Sequence, residues 1–570
     1  MIKTPPNHAR PPATRRPANR PRPRPIPSAA SSAALDSAHV GDIQGAFGTI
    51  RLEETPTPKS WKARLKTLLA IVGPGLIVMA GDNDAGAFGT YSQAGQNYGT
   101  SLLWTLLLLV PVLFVNQEMV IRLGAVTGVG HARLILERFG KFWGAFSVID
   151  LFILNALTII TEFIGISLGL GYLGVPKVPG VILAALTVIA ATSTGSFQRF
   201  ERVCMALVFG SFLLVPIFFM SGPDYGQIGH DFVVPGIPAG SSVADVTLLI
   251  IAIVGTTIAP WQLFFQQSYV IDKRITPRYL KYEKADLWIG IAIVVIGAAA
   301  IIAFTAFTFA GKPEFGQATD AAGVAQGLEK YVSHLAGILF ALALIDASII
   351  GAAAVGLSTS YALGDVLGLR HSLHRKVSEA KGFYAAFAGI ILLSAVIVII
   401  PGSPLGLLTV GVQVLAGVLL PSATLFLLLL CNDNAVMGPW INGKAMNAFT
   451  SAVISVLVIL SIVLTSAVLF PGIDGTTILA ILGGGALLAI AGALAVAVVR
   501  IRARVQGKAV APTAVDRSQQ LTWRMPPLAL LERPQLSLAR RAGLSVLWIY
   551  LIVAIILVVV RVVQLALGAP

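Results

Sequence analysis

The sequence predicts an all-α polytopic membrane protein, built as a five-plus-five inverted repeat with additional C-terminal helices. Composition is the first observation: the 570 residues are 56% hydrophobic and 12% charged, with a mean hydropathy of +0.81. That is more apolar than one water-soluble core could absorb. Apolar runs of about 20 residues, long enough to cross roughly 30 Å of hydrocarbon, recur about thirteen times. Finally, the first and sixth runs both break their own pattern in mid-span, and five helices separate the two breaks.

The N-terminal segment 1–66 differs in kind. Its stretch "RPPATRRPANRPRPRPIPSAASSAA" is Pro/Arg-rich and nearly free of large apolar residues, so it cannot offset the entropy of folding and reads as a disordered, basic cytoplasmic tail. It carries many of the positive charges behind the formal net charge of +14, which therefore does not indicate a nucleic-acid partner. The lipid bilayer is the expected surroundings, and no protein partner is indicated. The first residues lack the apolar core of a cleavable signal peptide. Cys204 and Cys431 both fall inside predicted helices, so neither a disulfide framework nor a thiolate metal site is expected. The seven histidines sit in the tail, in loops or at helix ends.

Residues 67–470 form the expected helical core with the repeats and an eleventh helix. A twelfth helix follows over 471–503, then a polar linker over 504–542 and a thirteenth helix over 543–570. Loop charges set the orientation. "DKRITPRYLKYEK" after the sixth helix and "GLRHSLHRKVSEAKG" after the eighth are basic, whereas "GKPEFGQATDAAGVAQGLEK" between them carries more acids than bases. The alternation predicts a multi-pass protein of the cell membrane with its N-terminus in the cytoplasm.

The first helix carries "GDNDAGAFG" at mid-span, and the sixth carries "VGTTIAPWQLFFQQS", where Pro260 removes a backbone donor. A lone interruption is as readily a kink as a site. Two in matching positions, one of them acidic, point to a site at which half-helix ends and freed carbonyls bind a cation. A carboxylate at the bilayer centre costs about 2.5–3.5 kcal/mol or more, and no Lys or Arg lies within helical reach of Asp82 and Asp84. A cation from outside is the natural partner. Asp82 reads equally as ligand or as structural cap. The donors gathered at the breaks are oxygens, from Asp82, Asn83, Asp84, Thr256, Thr257 and the backbone carbonyls before Pro260. Hard divalent ions such as Mg²⁺ and Mn²⁺ take such ligands.

At these residues the sequence resembles the NRAMP family of divalent-metal transporters. "GPGLIVMAGDNDAGAFGTYSQAGQNYGTSLLW", Gly73 to Trp104, follows the family's first-helix pattern without a gap. "RLGAVTG", Arg122 to Gly128, matches its second-helix ending, and "TTIAPWQLFFQQS" its sixth-helix box. Weaker echoes are "TEFIG", "LFALAL" and "VQVLAGVLLP". The resemblance implies a LeuT-like fold and alternating access around one metal site, with the metal as transported substrate, no cofactor and no enzymatic activity.

The resemblance places the family's metal-binding aspartate on Asp84. The family's asparagine ligand falls on Ala87, and its methionine sulfur ligand on Ala259, leaving that position only a backbone carbonyl. The histidine associated with proton movement becomes Trp261. Of an acidic pair in the third helix only Glu162 remains, beside Ile159, and Gln413 matches a glutamine that can join the coordination shell. Loss of the sulfur removes the preference for softer ions, and two alanines are expected to widen the site. In its loss of the sulfur ligand the sequence resembles the NRAMP-related magnesium transporter branch. Mg²⁺, which keeps several waters, is therefore expected ahead of Mn²⁺.

Without the histidine and the full acidic pair, transport need not be proton-coupled. The alternative is a proton-coupled Mn²⁺/Fe²⁺ importer that uses Glu162 or Asp346, an acid deep in the eighth helix, as a proton or cation relay; Asp346 also reads as an interhelical hydrogen-bonding group. A LeuT-like amino-acid carrier fits the acidic break less well. A membrane enzyme would need a nucleophile with a base or a His-rich metal site, and the sequence offers neither. Glu118 and Arg122, spaced i, i+4, read as a structural or gating pair.

Overall fold

A computed structural model describes residues 36–51, 60–238, 240–401, 405–470, 473–506, 518, 520–531 and several positions between 543 and 552. A 3₁₀ turn, Ser37–His39, leads into a hairpin of β1 (Ile43–Gly45) and β2 (Gly48–Ile50), with Ile43 opposite Ile50. The helices follow: α1 (Trp61–Ile71), α2 (Pro74–Asp82), α3 (Ala85–Tyr98), α4 (Trp104–Thr127), α5 (His131–Phe139), α6 (Lys141–Tyr172) and α7 (Lys177–Thr192). Next come α8 (Phe197–Gly210), α9 (Leu214–Met220), α10 (Tyr225–Val233), α11 (Val243–Thr257), α12 (Pro260–Asp272), α13 (Leu280–Phe309) and α14 (Ala321–Tyr331). The chain continues through α15 (His334–Leu367), α16 (Lys381–Ile399), α17 (Leu405–Cys431), α18 (Asn434–Met437), α19 (Lys444–Leu469) and α20 (Gly475–Val505).

The chain is an all-α polytopic membrane protein. Among the described residues nine helices are long and apolar enough to cross a membrane, or eleven if two bent pairs each count as one span, and α7 is a shorter apolar helix. The expected thirteenth helix, 543–570, lies mostly outside the described residues.

The expectation of disorder through residue 66 is corrected in two places. Residues 36–51 fold as the turn and hairpin, with Ile43, Ala46 and Ile50 buried, and α1 begins at Trp61 behind a Ser60 cap. The hairpin forms because α1 and α8 cover it; strands of three residues do not persist alone. Part of the polar linker also docks. Met525 N–H donates to Val126 O at 3.2 Å, and Trp440 Nε1 donates to Gln520 O at 2.8 Å.

The "GPG" motif makes the 51° bend between α1 and α2. Gly73 sits at φ 157°, where a Cβ would lie 2.1 Å from Glu201 Oε1, so only glycine fits. The N–H groups of Gly73 and Gly75 donate to Asp286 Oδ2 at 3.2 and 2.7 Å, fixing the start of α2 against α13. In the core α2 and α3 lie on α13, α6 packs along α15, and α12 lies between α4 and α15. By contrast α20 packs on α19 and α11 through Ile478 and leaves most of its other apolar side chains exposed, as a lipid-facing helix does.

Candidate metal-transport site

Both expected interruptions are present. Between α2 and α3, Asn83 leaves helical geometry at φ −78°, ψ 48°, and Asp84 is extended at φ −74°, ψ −176°. The Asp84 carboxylate caps α3, with Oδ1 accepting from Ala87 N–H at 2.9 Å, the usual work of an aspartate at a helix start. Between α11 and α12, Ile258 leaves helical geometry at φ −131°, ψ 84°, Ala259 is extended and Pro260 opens α12. Proline suits that first position, where its missing N–H has no partner to lose. Each break thus joins the carbonyl end of one half-helix to the N–H end of the next, a natural cation site on one side and anion site on the other.

The two breaks share a cavity with about 40 Å³ of space open to water, lined by Asp84, Gly86, Thr256, Ala259, Trp261, Thr158 and Thr161, and closed by the apolar Leu154, Val412 and Ala416. At roughly 10–15 Å³ per water on this measure it has room for about three. Of the residues singled out from the sequence, Asp84, Thr256, Ala259 and Trp261 line it directly.

Other singled-out residues lie elsewhere. Gln262 Nε2 donates to Asp82 Oδ1, and Gln117 Nε2 donates to Gln262 Oε1 at 2.9 Å. The Asp82 carboxylate is buried, its Oδ2 has no hydrogen-bond partner, and it is close enough to Asp84 for the two charges to repel. Asn83 turns toward α13 and donates from Nδ2 to Val294 O at 3.3 Å. Asp82 and Asn83 therefore do not line the cavity, because consecutive residues of an unwound turn point to different sides. Ala87 is fully buried and meets Asp84 through its backbone N–H; only one of the two alanines, Ala259, borders the open space.

Glu162, fully buried on α6, accepts from Ala85 N–H at 3.1 Å and faces Asp84 closely enough for the two carboxyl groups to interact. Gly351 on α15 makes room for it: a Cβ there would lie 2.9 Å from Glu162 Cδ. Asp346 lies on another face of α15, against Gly210 of α8, and does not line the cavity. Gln413 is on α17, one residue beyond Val412; its side chain is outside the described set. Glu118 and Arg122 form the expected pair at 3.1 Å, and Lys284 adds a second contact to Glu118 at 2.8 Å.

Sequence reasoning missed Gln117, Thr158 and Thr161. Their signal is faint: Thr158 and Thr161 are hydroxyls three apart on an apolar helix, and Gln117 stands just before the more conspicuous Glu118. Buried polar side chains of this kind become informative only when their partners are known.

Two helices broken at one carboxylate-bearing cavity in the middle of a helical bundle define a membrane carrier for ions. Sequence comparison is specific: the profile of the natural resistance-associated macrophage protein-like (Nramp) family matches residues 75–467, and the chain belongs to that family. The divalent metal cation transporter MntH of Ralstonia nicotianae (strain ATCC BAA-1114 / GMI1000) is 30% identical over 412 residues, covering 69% of this chain and 89% of the relative. The crystal structure of the Eremococcus coleocola manganese transporter in complex with an aromatic bis-isothiourea compound matches with a TM-score of 0.60 at 21% identity, over 77% of this chain and 95% of that one. A mutant form of the same transporter matches with a TM-score of 0.61 over 79% and 96%. The chain is thus a multi-pass divalent-metal transporter of Nramp type with the LeuT-like fold of these structures. Its metal ion is substrate, and it is not an enzyme.

Proposed function

We propose that this transporter carries Mg²⁺ ahead of Mn²⁺ across the plasma membrane, from outside to the cytoplasm, with its N-terminus inside and without obligatory proton coupling. The cavity carries this reading. It joins one directly facing carboxylate, Asp84, to the Thr256 hydroxyl, the Ala259 backbone and about 40 Å³ of water space, with no sulfur among the described residues that line it. A hard ion that binds through one or two carboxylates and keeps several waters suits such a cage. Asp84 is the first ligand, with Thr256 and the Ala259 carbonyl beside it. Gln413, on α17, is the further ligand that the family resemblance implies, and Asp82, held by Gln262, supports the site electrostatically from behind.

A second reading, a proton-coupled Mn²⁺/Fe²⁺ importer, draws support from the MntH relative and from Glu162, whose carboxyl faces Asp84. Asp346, remote from the cavity, is the weaker relay in that scheme. Flux in proteoliposomes separates the readings. The Mg²⁺ reading expects Mg²⁺ uptake driven by an inside-negative potential, lost in Asp84→Ala, with no acidification of the lumen reported by a pH dye. Mn²⁺ or Cd²⁺ uptake that millimolar Mg²⁺ does not inhibit, accompanied by protons, establishes the second reading instead.

A further inference from the structure

Residues 36–51 lie across the end of the bundle where α12 finishes, and they tie together elements that are far apart in sequence. The Asp36 carboxylate accepts from Arg375 Nη2 at 2.6 Å, from its Nε at 3.0 Å, and from His371 N–H at 3.0 Å. Arg274, just past α12, donates to the carbonyls of Ala38 and Asp42, both at 2.9 Å. On the far side Gln198 and Arg202 of α8 donate to Gly45 O at 3.0 Å and Ala46 O at 3.1 Å. Ala46 N–H reaches Glu201, whose other oxygen pairs with Lys273 at 2.6 Å, both side chains fully buried. One short segment therefore clasps α8, the end of α12 and the loop after α15.

Beneath this strap is a small enclosed cavity, about 10 Å³ and so large enough for one water, bounded by His39, Ser268, Tyr361, Asp365 and His371. His39 Nδ1 and one oxygen of Asp365 are buried there without a hydrogen-bond partner, and His39 Nε2 lies 3.6 Å from Asp272 Oδ1, beyond hydrogen-bond reach. Deeper in the bundle the same condition recurs at His131 Nε2, at both polar atoms of Gln266, at Gln117 Oε1 and at Asp82 Oδ2. Gln262 and Gln266 share one face of α12, and α12 packs along α4, which carries Gln117. Buried polar atoms normally find partners, so a series without them needs an explanation. A hydrated route that is closed in this conformation supplies one, and it leads from the broken helix to the underside of the strap.

We propose that residues 36–51 are the inner gate of the carrier. While the Asp36–Arg375 pair holds, the strap keeps α8, α12 and the loop after α15 together and the polar route stays shut; when the strap lifts, the route fills with water and the ion leaves. This inference rests on the alternating-access reading and on the assignment of this end to the cytoplasm.

The test is cysteine labelling of the full-length purified protein, which needs no metal. Cys204 and Cys431 are replaced by alanine, Ser268→Cys is introduced, and the rate of reaction with a membrane-impermeant maleimide is measured. Asp36→Ala is expected to raise that rate at least tenfold, and the charge swap Asp36→Arg with Arg375→Asp to return it toward the parent rate. A chain lacking residues 1–51 is expected to label as fast as Asp36→Ala. Labelling at the parent rate in Asp36→Ala, with the protein monodisperse, overturns the gate. Because the readout is independent of ion identity, that result leaves the Mg²⁺ reading untouched, just as a failure of Mg²⁺ flux leaves the labelling result standing.

Discussion

Returning a thioether to position 259 tests the chemistry of the cavity at the residue that borders it. Ala259 faces about 40 Å³ of water space, enough for about three waters. Methionine adds a methylene, a sulfur and a methyl beyond the alanine Cβ, three groups each about the size of a water, so Ala259→Met displaces the whole complement. Mg²⁺ then loses waters that it keeps by preference and meets a ligand it does not take, while Cd²⁺ gains a soft donor. If lost hydration and gained sulfur each contribute about 1.4 kcal/mol, one decade apiece, the Cd²⁺/Mg²⁺ selectivity shifts about a hundredfold. Initial rates of Mg²⁺ uptake into proteoliposomes, with and without competing Cd²⁺, measure that ratio directly. A folded Ala259→Met protein with unchanged Mg²⁺ rates and no stronger Cd²⁺ competition refutes the reasoning.

Three further outcomes follow from the geometry. Gly351→Ala places a Cβ 2.9 Å from Glu162 Cδ; overpacking of this kind costs about 1–3 kcal/mol, so a lower melting temperature is expected, together with slower flux because Glu162 also holds Ala85 at the break. Lys273→Met leaves Glu201 buried without its cation, expected to cost about 3–5 kcal/mol and to be visible as a large drop in thermal stability, whereas replacing exposed Lys281 has little effect. The strap has a pH optimum. Burial holds His39 down to about 4 despite nearby Asp272, so its contribution to closure is full above 6.5 and lost as pH falls toward 4. Burial would lower His371 too, but the bond to Asp365 outweighs it and raises the imidazole to about 9, so its contribution is full below 6.5 and lost as pH rises toward 9. Asp36, Asp272, Asp365 and Tyr361 face this pair, and Arg375 reaches it through Asp36. Labelling of Ser268→Cys, corrected for maleimide reactivity, is expected to be slowest near pH 6.5 and to rise on both sides, by up to tenfold per pH unit. A pH-independent rate contradicts it.

The breaks were legible because their chemistry is local. Asp84 caps the helix that follows it, and Pro260 opens the next one, so residue type and position announce both features without tertiary information. Side-chain direction was not legible. Asp82, Asn83 and Asp84 are consecutive polar residues with similar donors, and what separates them is Gln262 reaching across from α12 and Val294 O from α13, more than 170 residues away in sequence. The hairpin at 43–50 was hidden for another reason. Strands of three residues carry no periodic pattern, and the neighbouring Arg/Pro-rich stretch dominates the composition of that end. Its partners, Gln198, Glu201 and Arg202, lie in the first turns of α8, and Arg274 and Arg375, which hold the residues just before it, lie in loops whose charges count toward topology and conceal any individual pairing.

The arrangement of carboxylates bears on the driving force. Asp82 is engaged by Gln262 and Glu162 by Ala85 N–H, which leaves Asp84 as the acid lining the cavity among the described residues. A dication held mainly by one carboxylate and neutral oxygens crosses the membrane with net charge, and each charge gains about 2.3 kcal/mol per 100 mV. Two charges gain about 4.6 kcal/mol, so accumulation should rise tenfold for about every 30 mV of inside-negative potential. One proton carried with each ion makes three charges, steepens the response to tenfold per roughly 20 mV, and adds a dependence on the pH gradient. Potassium-diffusion potentials set across proteoliposomes, with Mg²⁺ accumulation read at steady state, distinguish the two slopes. A slope near 20 mV per decade that also moves with the pH gradient assigns a proton to Glu162 and ends the uncoupled reading. A slope near 30 mV, unchanged in Glu162→Gln, means that the potential alone moves the ion and that the Glu162 carboxyl serves to hold the break in shape.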